Sequence, residues 1–135
     1  MLYRDGRLVT TAGVAERNGR FFLARRKRGG ALSLKWEFPG GKCAQPRESE
    51  HSCLQREFSE EFGVHISVGP ELGSVPFRHR EQDYLLVAYA ITFHDEPGEL
   101  HVHVDAGWFL PEEVRGLDLA DSDRALLGRM WAPEG

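Results

Sequence analysis

The sequence predicts an α/β domain, and three observations carry that prediction. Runs of β-branched and aromatic residues recur on both sides of a segment with helical period. That segment runs from about Ser49 to residue 62, spaces Cys53, Leu54 and Phe58 so that they share a face, and ends at Gly63, where a helix C-terminal glycine belongs. A second helical segment, "ADSDRALLGRMW", lies near the end of the chain. With 135 residues, 41% of them hydrophobic, the chain is long enough for one domain with a real core and too short for two comfortable ones. Residues 1–135 are therefore expected to form a single domain.

In chain order, Val9 to Glu16 and Phe21 to Arg25 read as the two strands of a hairpin, joined at the corner Arg17, Asn18, Gly19. A loop rich in Arg, Lys and Gly covers residues 26–31. "LKWEFPGGK" then carries Trp36 and Phe38 into Pro39, Gly40 and Gly41, and these glycines are expected to break any regular element. After the first helix, "VHISVGPELGSVPF" and "DYLLVAYAITF" read as strands with a loop, "RHREQ", between them. "HVHVDAGWF" alternates as a further strand, and Pro111 opens a short helical turn with Glu112 and Glu113. The last helix is expected to take Asp121 or Ser122 as its cap. The sequence contains no internal repeat and no low-complexity tract.

Seventeen Lys and Arg stand against 21 Asp and Glu, a net charge of −4, so there is no global drive toward nucleic-acid backbones or anionic membranes. An anionic substrate has to be met by local groups. The two cysteines, Cys43 and Cys53, lack CxxC spacing, which speaks against a zinc site or a disulfide framework and for a reducing compartment. "MLYRDGRLVTTAG" has no basic start and apolar core of a signal peptide, and no stretch approaches 18 consecutive apolar residues. A soluble cytoplasmic protein is expected, monomer or homodimer, with no stable nucleic-acid complex and no membrane partner.

The chemistry concentrates in Glu57, Glu60 and Glu61. On a helix of about 100° per residue with Glu57 at zero, Glu60 falls at about 300° and Glu61 at about 40°, while Leu54 and Phe58 lie at about 60° and 100°. The carboxylates thus border the buried stripe. Like-charge pairs on a helix cost a few tenths of a kcal/mol each, more as solvent is withdrawn. A multivalent cation removes that cost. Mg²⁺ takes hard oxygen ligands and sits between carboxylates and substrate phosphates, with Mn²⁺ as a substitute. A solvated acidic face without a ligand is the plain alternative.

The longer stretch decides between them. Glu48, seven residues and then "REFSEEFGV" resemble the signature of the Nudix hydrolases, G-x5-E-x7-R-E-U-x-E-E-x-G-U with U a bulky aliphatic residue; Phe58 fills the first U as an aromatic substitute. The resemblance covers about 24 residues and has one departure: "KCAQPR" puts six residues between Gly41 and Glu48, one more than the pattern. It implies an α/β/α sandwich with a mixed sheet between the acidic helix and the last helix. It also implies that Glu57, Glu60 and Glu61 bind metal together with the carbonyl of Gly40, that Glu48 and Arg56 orient the carboxylates, and that one carboxylate takes a proton from water, for which Glu57 is the choice. The reaction implied is cleavage of a diphosphate bond in a nucleoside diphosphate derivative by water.

The segment "LARRKRGGALSLKWEFPGGK" is similar to that of MutT-type nucleoside triphosphate pyrophosphohydrolases, including those that clear 8-oxo-dGTP. The likeness puts Arg26, or its neighbour Arg25, against phosphate, and Phe38 beside the base or in the core. In "LDLADSDRALLGRM" Asp121 stands where the family reads the base, and a helix cap is the other role open to it. Similar tails carry a Glu-His pair before the tryptophan, the Glu being an additional metal ligand; here Val102 occupies the Glu place and His103 keeps the His place. Asp105, Glu99 and Glu81 are candidate replacements. His101 and His103 read as side chains at the rim of the cleft. The implied activity is Mg²⁺-dependent conversion of a nucleoside triphosphate to monophosphate and pyrophosphate, with oxidised nucleotides among the substrates. The alternatives are an ADP-sugar or dinucleoside polyphosphate hydrolase and a non-catalytic nucleotide-sensing domain.

Overall fold

In the computed structural model, which describes residues 1–131, the first hairpin opens immediately beyond its turn. Strand β1 (Tyr3–Arg4) leads into β2 (Arg7–Arg17), and Asn18 and Gly19, both at positive φ, turn the chain into β3 (Arg20–Arg26). The two long strands pair beside the turn, at Glu16↔Phe21 and Arg17↔Arg20, and then part. Strand β3 goes on to pair with β4 (Trp36–Glu37) on one edge and β8 (His103–Phe109) on the other, both antiparallel. Strand β2 instead runs antiparallel to β5 (Gly40–Lys42) and parallel to β7 (Gln82–Phe93), which is hairpinned to β6 (Ile66–His79).

This mixed sheet lies between two helical layers. Helix α1 (Glu50–Phe62) covers one face, where Leu54, Phe58 and Phe62 pack on Val9, Phe22 and Val87. Helices α2 (Pro111–Arg115) and α3 (Asp121–Met130) cover the other, with Val114, Leu126 and Leu127 against Leu23, Phe38 and Leu86. No helix among the described residues is long and apolar enough to cross a membrane. Helix α1 is fixed at both ends. Ser49 and Ser52 cap each other reciprocally at 2.9 and 3.0 Å, and Gly63 closes the last turn in the left-handed region. Arg4 grips Glu50 with two hydrogen bonds of 2.7 Å while the Tyr89 hydroxyl donates to the same carboxylate at 2.6 Å, tying the start of the helix to the sheet.

Four expectations are corrected. The glycines after Pro39 do not end regular structure: Gly40–Lys42 pairs with Thr10–Ala12, and a Cβ at Gly40 would strike the Thr11 carbonyl, so glycine is what permits the close strand approach. The "RHREQ" loop shrinks to a turn centred on Arg80 and Glu81, at φ 48° and 66°, because two successive left-handed residues match the twist of a hairpin. Neither Asp121 nor Ser122 caps α3. Ala120 holds the N-cap position without a side-chain bond, and the entry is set by backbone bonds, Ala120 N to Trp36 O at 3.0 Å and Trp36 N to Asp118 O at 2.8 Å.

The fourth correction concerns the cysteines. Cys43, just past β5, and Cys53, on α1, form a disulfide with their Cα atoms 5.3 Å apart, and both are fully buried. Distance along the chain hid this: the sequence separation is 10, and only the return of α1 over β5 brings the two together. The closed segment joins the two glycines to the acidic helix.

Closing a loop of this length restricts the unfolded chain by about 3 kcal/mol in the chain-entropy model. Cys43→Ser/Cys53→Ser is expected to lose roughly that much in urea titrations. Addition of a dithiol reductant should lower the wild-type midpoint and leave the double variant where it stands; equal midpoints for both proteins under oxidising conditions would remove the staple from the account of stability.

Candidate active site

A cleft of about 760 Å³ opens where β5, α1, the β6–β7 hairpin and the start of α3 converge. Gly40, Gly41, Glu57 and Glu61 line one side, Phe38, Asp121 and Asp123 another, and Arg26 and Glu37 lie on it as well. Arg78, His79 and Arg80 contribute from the hairpin.

Arg56 organises the acidic side. Its Nε and Nη2 donate to the two oxygens of Glu48 at 2.6 and 3.0 Å, and its Nη1 donates to Glu57 at 3.1 Å and to Glu60 at 3.2 Å. The extra loop residue therefore leaves Glu48 on Arg56, and that guanidinium holds the Glu48 carboxyl below its ordinary pKa. Glu57 rests on bare backbone: a Cβ at Gly41 would collide with its carboxylate. Burial raises the Glu57 pKa, with Arg56 opposing. Glu60 is largely exposed and lies outside the cleft lining. Glu61 is the most secluded of the three, 7% exposed, with Oε2 sealed from solvent and without a hydrogen-bond partner among the described residues. Burial first, then the charges of Glu37 and Glu57, push it up to about 8. A sealed carboxylate oxygen with no partner, beside a second carboxylate and a backbone only glycine allows, fits a divalent cation.

Behind these residues lies a buried pair that sequence reasoning did not join. His103 is not at the rim: its side chain is fully buried, its ring stacks on Phe62 at 5.2 Å, and its Nε2 lies 2.8 Å from Glu37 Oε2. The ring is carried inward because β8 pairs with β3 and turns this residue toward α1. His101 precedes the strand and is exposed. Asp105, Glu99 and Glu81 are all exposed and none lines the cleft; Asp105 accepts from the Ala106 backbone at 2.9 Å. Of the paired arginines, Arg26 faces the cleft, 3.6 Å from Glu37, whereas Arg25 donates to the Leu34 carbonyl at 3.0 Å.

On the α3 side, Phe38 is a core residue, 3% exposed, whose ring meets Trp131 edge-on. What it offers is its backbone: Phe38 N–H donates to Asp123 Oδ1 at 2.9 Å. Asp121 lies at the open margin of the cleft and Asp123 is buried within it. Burial, followed by the charge of Glu37, pushes Asp123 well above the ordinary carboxylate range, against the pull of the Phe38 N–H. Sequence reasoning passed over Asp123. Its position three and four residues before the buried Leu126 and Leu127 was the available signal, because that spacing marks the inward face of a helix.

Residues 6–129 match the family model described as the NUDIX domain. The chain is 34% identical over 129 residues to a CTP pyrophosphohydrolase of Escherichia coli K12, covering 93% of this chain and 92% of the relative. It is 33% identical over 86 residues to an 8-oxo-dGTP diphosphatase of Proteus vulgaris, covering 60% of this chain and 76% of the relative. The solution structure of the E. coli ORF135 protein superposes with a TM-score of 0.82 at 32% identity, over 93% of this chain and 89% of that one.

The raised pKa of Glu61 sets a pH dependence. The folded chain keeps a proton there that the unfolded chain gives up at the ordinary value of 4.5, so metal-free stability falls as pH rises from 4.5 through about 8. Melting curves in EDTA between about pH 5 and 9 should show this decline, and Glu61→Gln should flatten it. A wild-type slope unchanged in the variant would assign the decline to other groups.

Proposed function

The chain belongs to the Nudix hydrolase family, and on that premise we propose that residues 1–135 act as one catalytic domain that cleaves a nucleoside triphosphate to its monophosphate and pyrophosphate. The observation that carries this reading is the single cleft that joins the carboxylates of α1 to Asp123 and the Phe38 backbone, with Arg26 also lining it. A triphosphate and a base need those two ends at once.

Nudix hydrolases use divalent cations, and Mg²⁺ is the reading favoured by an all-oxygen donor set of Glu57, Glu60, Glu61 and the Gly40 carbonyl, with Mn²⁺ as a substitute. Such a cation, when bound, neutralises phosphate oxygens and lowers the pKa of the attacking water. Arg56 and Glu48 keep the Glu57 and Glu60 side chains in place, and Arg26 meets phosphate. Glu57 takes the water's proton, a role its partial burial and raised pKa suit.

At the other end, Asp123 is the better candidate to read the base and Asp121 a flanking contact. The Asp123 carboxyl offers an acceptor to the N4 amino group of cytosine, and a carboxylic acid at this position would add a donor to N3. The relative matched over nearly its whole length bears the name CTP pyrophosphohydrolase, which supports cytosine nucleotides as the first substrates to test, with 8-oxo-dGTP second.

Pyrophosphate and orthophosphate release should be measured over CTP, dCTP, the other deoxynucleoside triphosphates and 8-oxo-dGTP, with an ADP-sugar and a dinucleoside polyphosphate alongside, with and without Mg²⁺. Pyrophosphate from a triphosphate, only with the cation, is the expected result; orthophosphate alone or preference for the last two compounds would overturn it. Glu57→Gln is expected to lower kcat by at least about 100-fold without a fall in melting temperature. Asp123→Asn should reorder the bases in kcat/KM, with a loss of roughly 1–3 kcal/mol for the preferred one, while Asp121→Ala changes the ranking less. An unaltered ranking in Asp123→Asn would remove that residue from base reading.

A further inference from the structure

Glu37 takes no part in the chemistry proposed above, yet it lines the same cleft as Glu57 and Glu61. Strand alternation explains why it points there. In β4 and the residue that follows, Trp36 and Phe38 belong to the core beneath α3, so Glu37 between them faces the opposite layer, toward α1. One of its oxygens is held: Oε2 lies 2.8 Å from His103 Nε2 and 3.6 Å from Arg26 Nη1. The other, Oε1, makes no hydrogen bond among the described residues and, unlike Glu61 Oε2, is not sealed away from solvent.

His103 is suited to hold that carboxylate and little else. Its imidazole stacks on Phe62, the residue next to Glu61, and its Nδ1 is buried without a partner. Nδ1 is thus a bare acceptor when Nε2–H donates to Glu37. Glu37 and Glu61 line the same cleft, one from β4 in the sheet and the other from α1. Two carboxyl groups on one cleft, one with an oxygen sealed and unpartnered and one with an oxygen free of hydrogen bonds among the described residues, form an incomplete set that a cation completes.

We propose that Glu37 is a further ligand of the divalent cation in this cleft, reaching it from the sheet opposite Glu61, and that His103 is a positioning residue that fixes its free oxygen. The inference rests on the reading of the α1 carboxylates as a cation site. Hydrogen bonds to a ligating carboxylate are part of a metal site's affinity, and their loss costs roughly 10–100-fold.

The test is Mn²⁺ binding to the full chain, followed by the paramagnetic resonance signal of the free ion, in wild type, Glu37→Gln, Glu37→Asp, His103→Phe, His103→Gln and Glu57→Gln, with a melting curve for each. Glu37→Gln is expected to weaken binding by at least about tenfold while melting no lower than wild type. Glu37→Asp, one carbon shorter, should weaken it as well and serves where the glutamine variant does not fold. His103→Phe keeps the stack and loses the donor, so it should weaken binding, and His103→Gln, which restores a donor, should recover part of the affinity. Unchanged affinity in both Glu37 variants, with binding lost in Glu57→Gln, would overturn the role of Glu37 and leave the α1 site standing. Unchanged affinity in Glu57→Gln too would overturn the α1 site and Glu37 with it.

Discussion

The Arg56 guanidinium carries one positive charge and touches three carboxylates. Two of its nitrogens are spent on Glu48 in a bidentate pair, which fixes the plane of the group, and the remaining one reaches both Glu57 and Glu60. Because Glu57 and Glu60 lie one helical turn apart, they would otherwise splay to relieve repulsion. The arrangement is unbalanced: Glu61, on the inward side of the same turn, has no share in the guanidinium, and its sealed oxygen is left without a partner among the described residues. A helix that neutralised all its acids internally would have nothing to offer a cation.

The second constraint is the parting of β2 from β3 just after their turn. Had the two stayed paired along their length, β5 could not have entered beside β2, and the glycines would not lie under Glu57. The parting also lets β4 join β3 at the margin of the cleft, where a two-residue strand sends consecutive side chains to different layers. Trp36 and Phe38 brace α3, and through the Phe38 backbone they fix Asp123; Glu37 turns to α1. The α1 side and the α3 side of the cleft are in this way both set by neighbouring residues at one short strand.

Much of this was legible in the sequence because it depends on local spacing. The position of Glu61 at about 40° from Glu57, close to Leu54, already separates it from Glu60, and the structure has the first buried and the second exposed. Helix α1 from about Ser49 to its glycine exit, and the five strands of seven or more residues, follow from periodicity and turn residues in the same way. What was not legible depends on contacts between distant segments. The Cys43–Cys53 bond, the burial of His103 and its pairing with Glu37 each require knowledge of which strand lies beside which, and the histidines' alternation alone made a rim position look reasonable. Asp123 was not legible for a different reason: the turn chemistry marks Asp121 at the start of the helix, whereas the inward face begins two positions later.

The disulfide has a bearing on how the loop between β5 and α1 can change. Its two cysteines stand at the feet of that loop, one against the strand that carries Gly40 and Gly41 and one a single turn before Glu57, so the spacing of those groups is set by a covalent bond and not by the chain between. The residues from Ala44 to Arg47 are all exposed, and Arg47 already adopts a left-handed conformation, as expected where one residue more than usual has been taken up. Length in this segment is thereby uncoupled from geometry in the cleft. Residues can be gained or lost there, or a short foreign peptide grafted in, with the acidic helix and the glycine strand kept at the same distance.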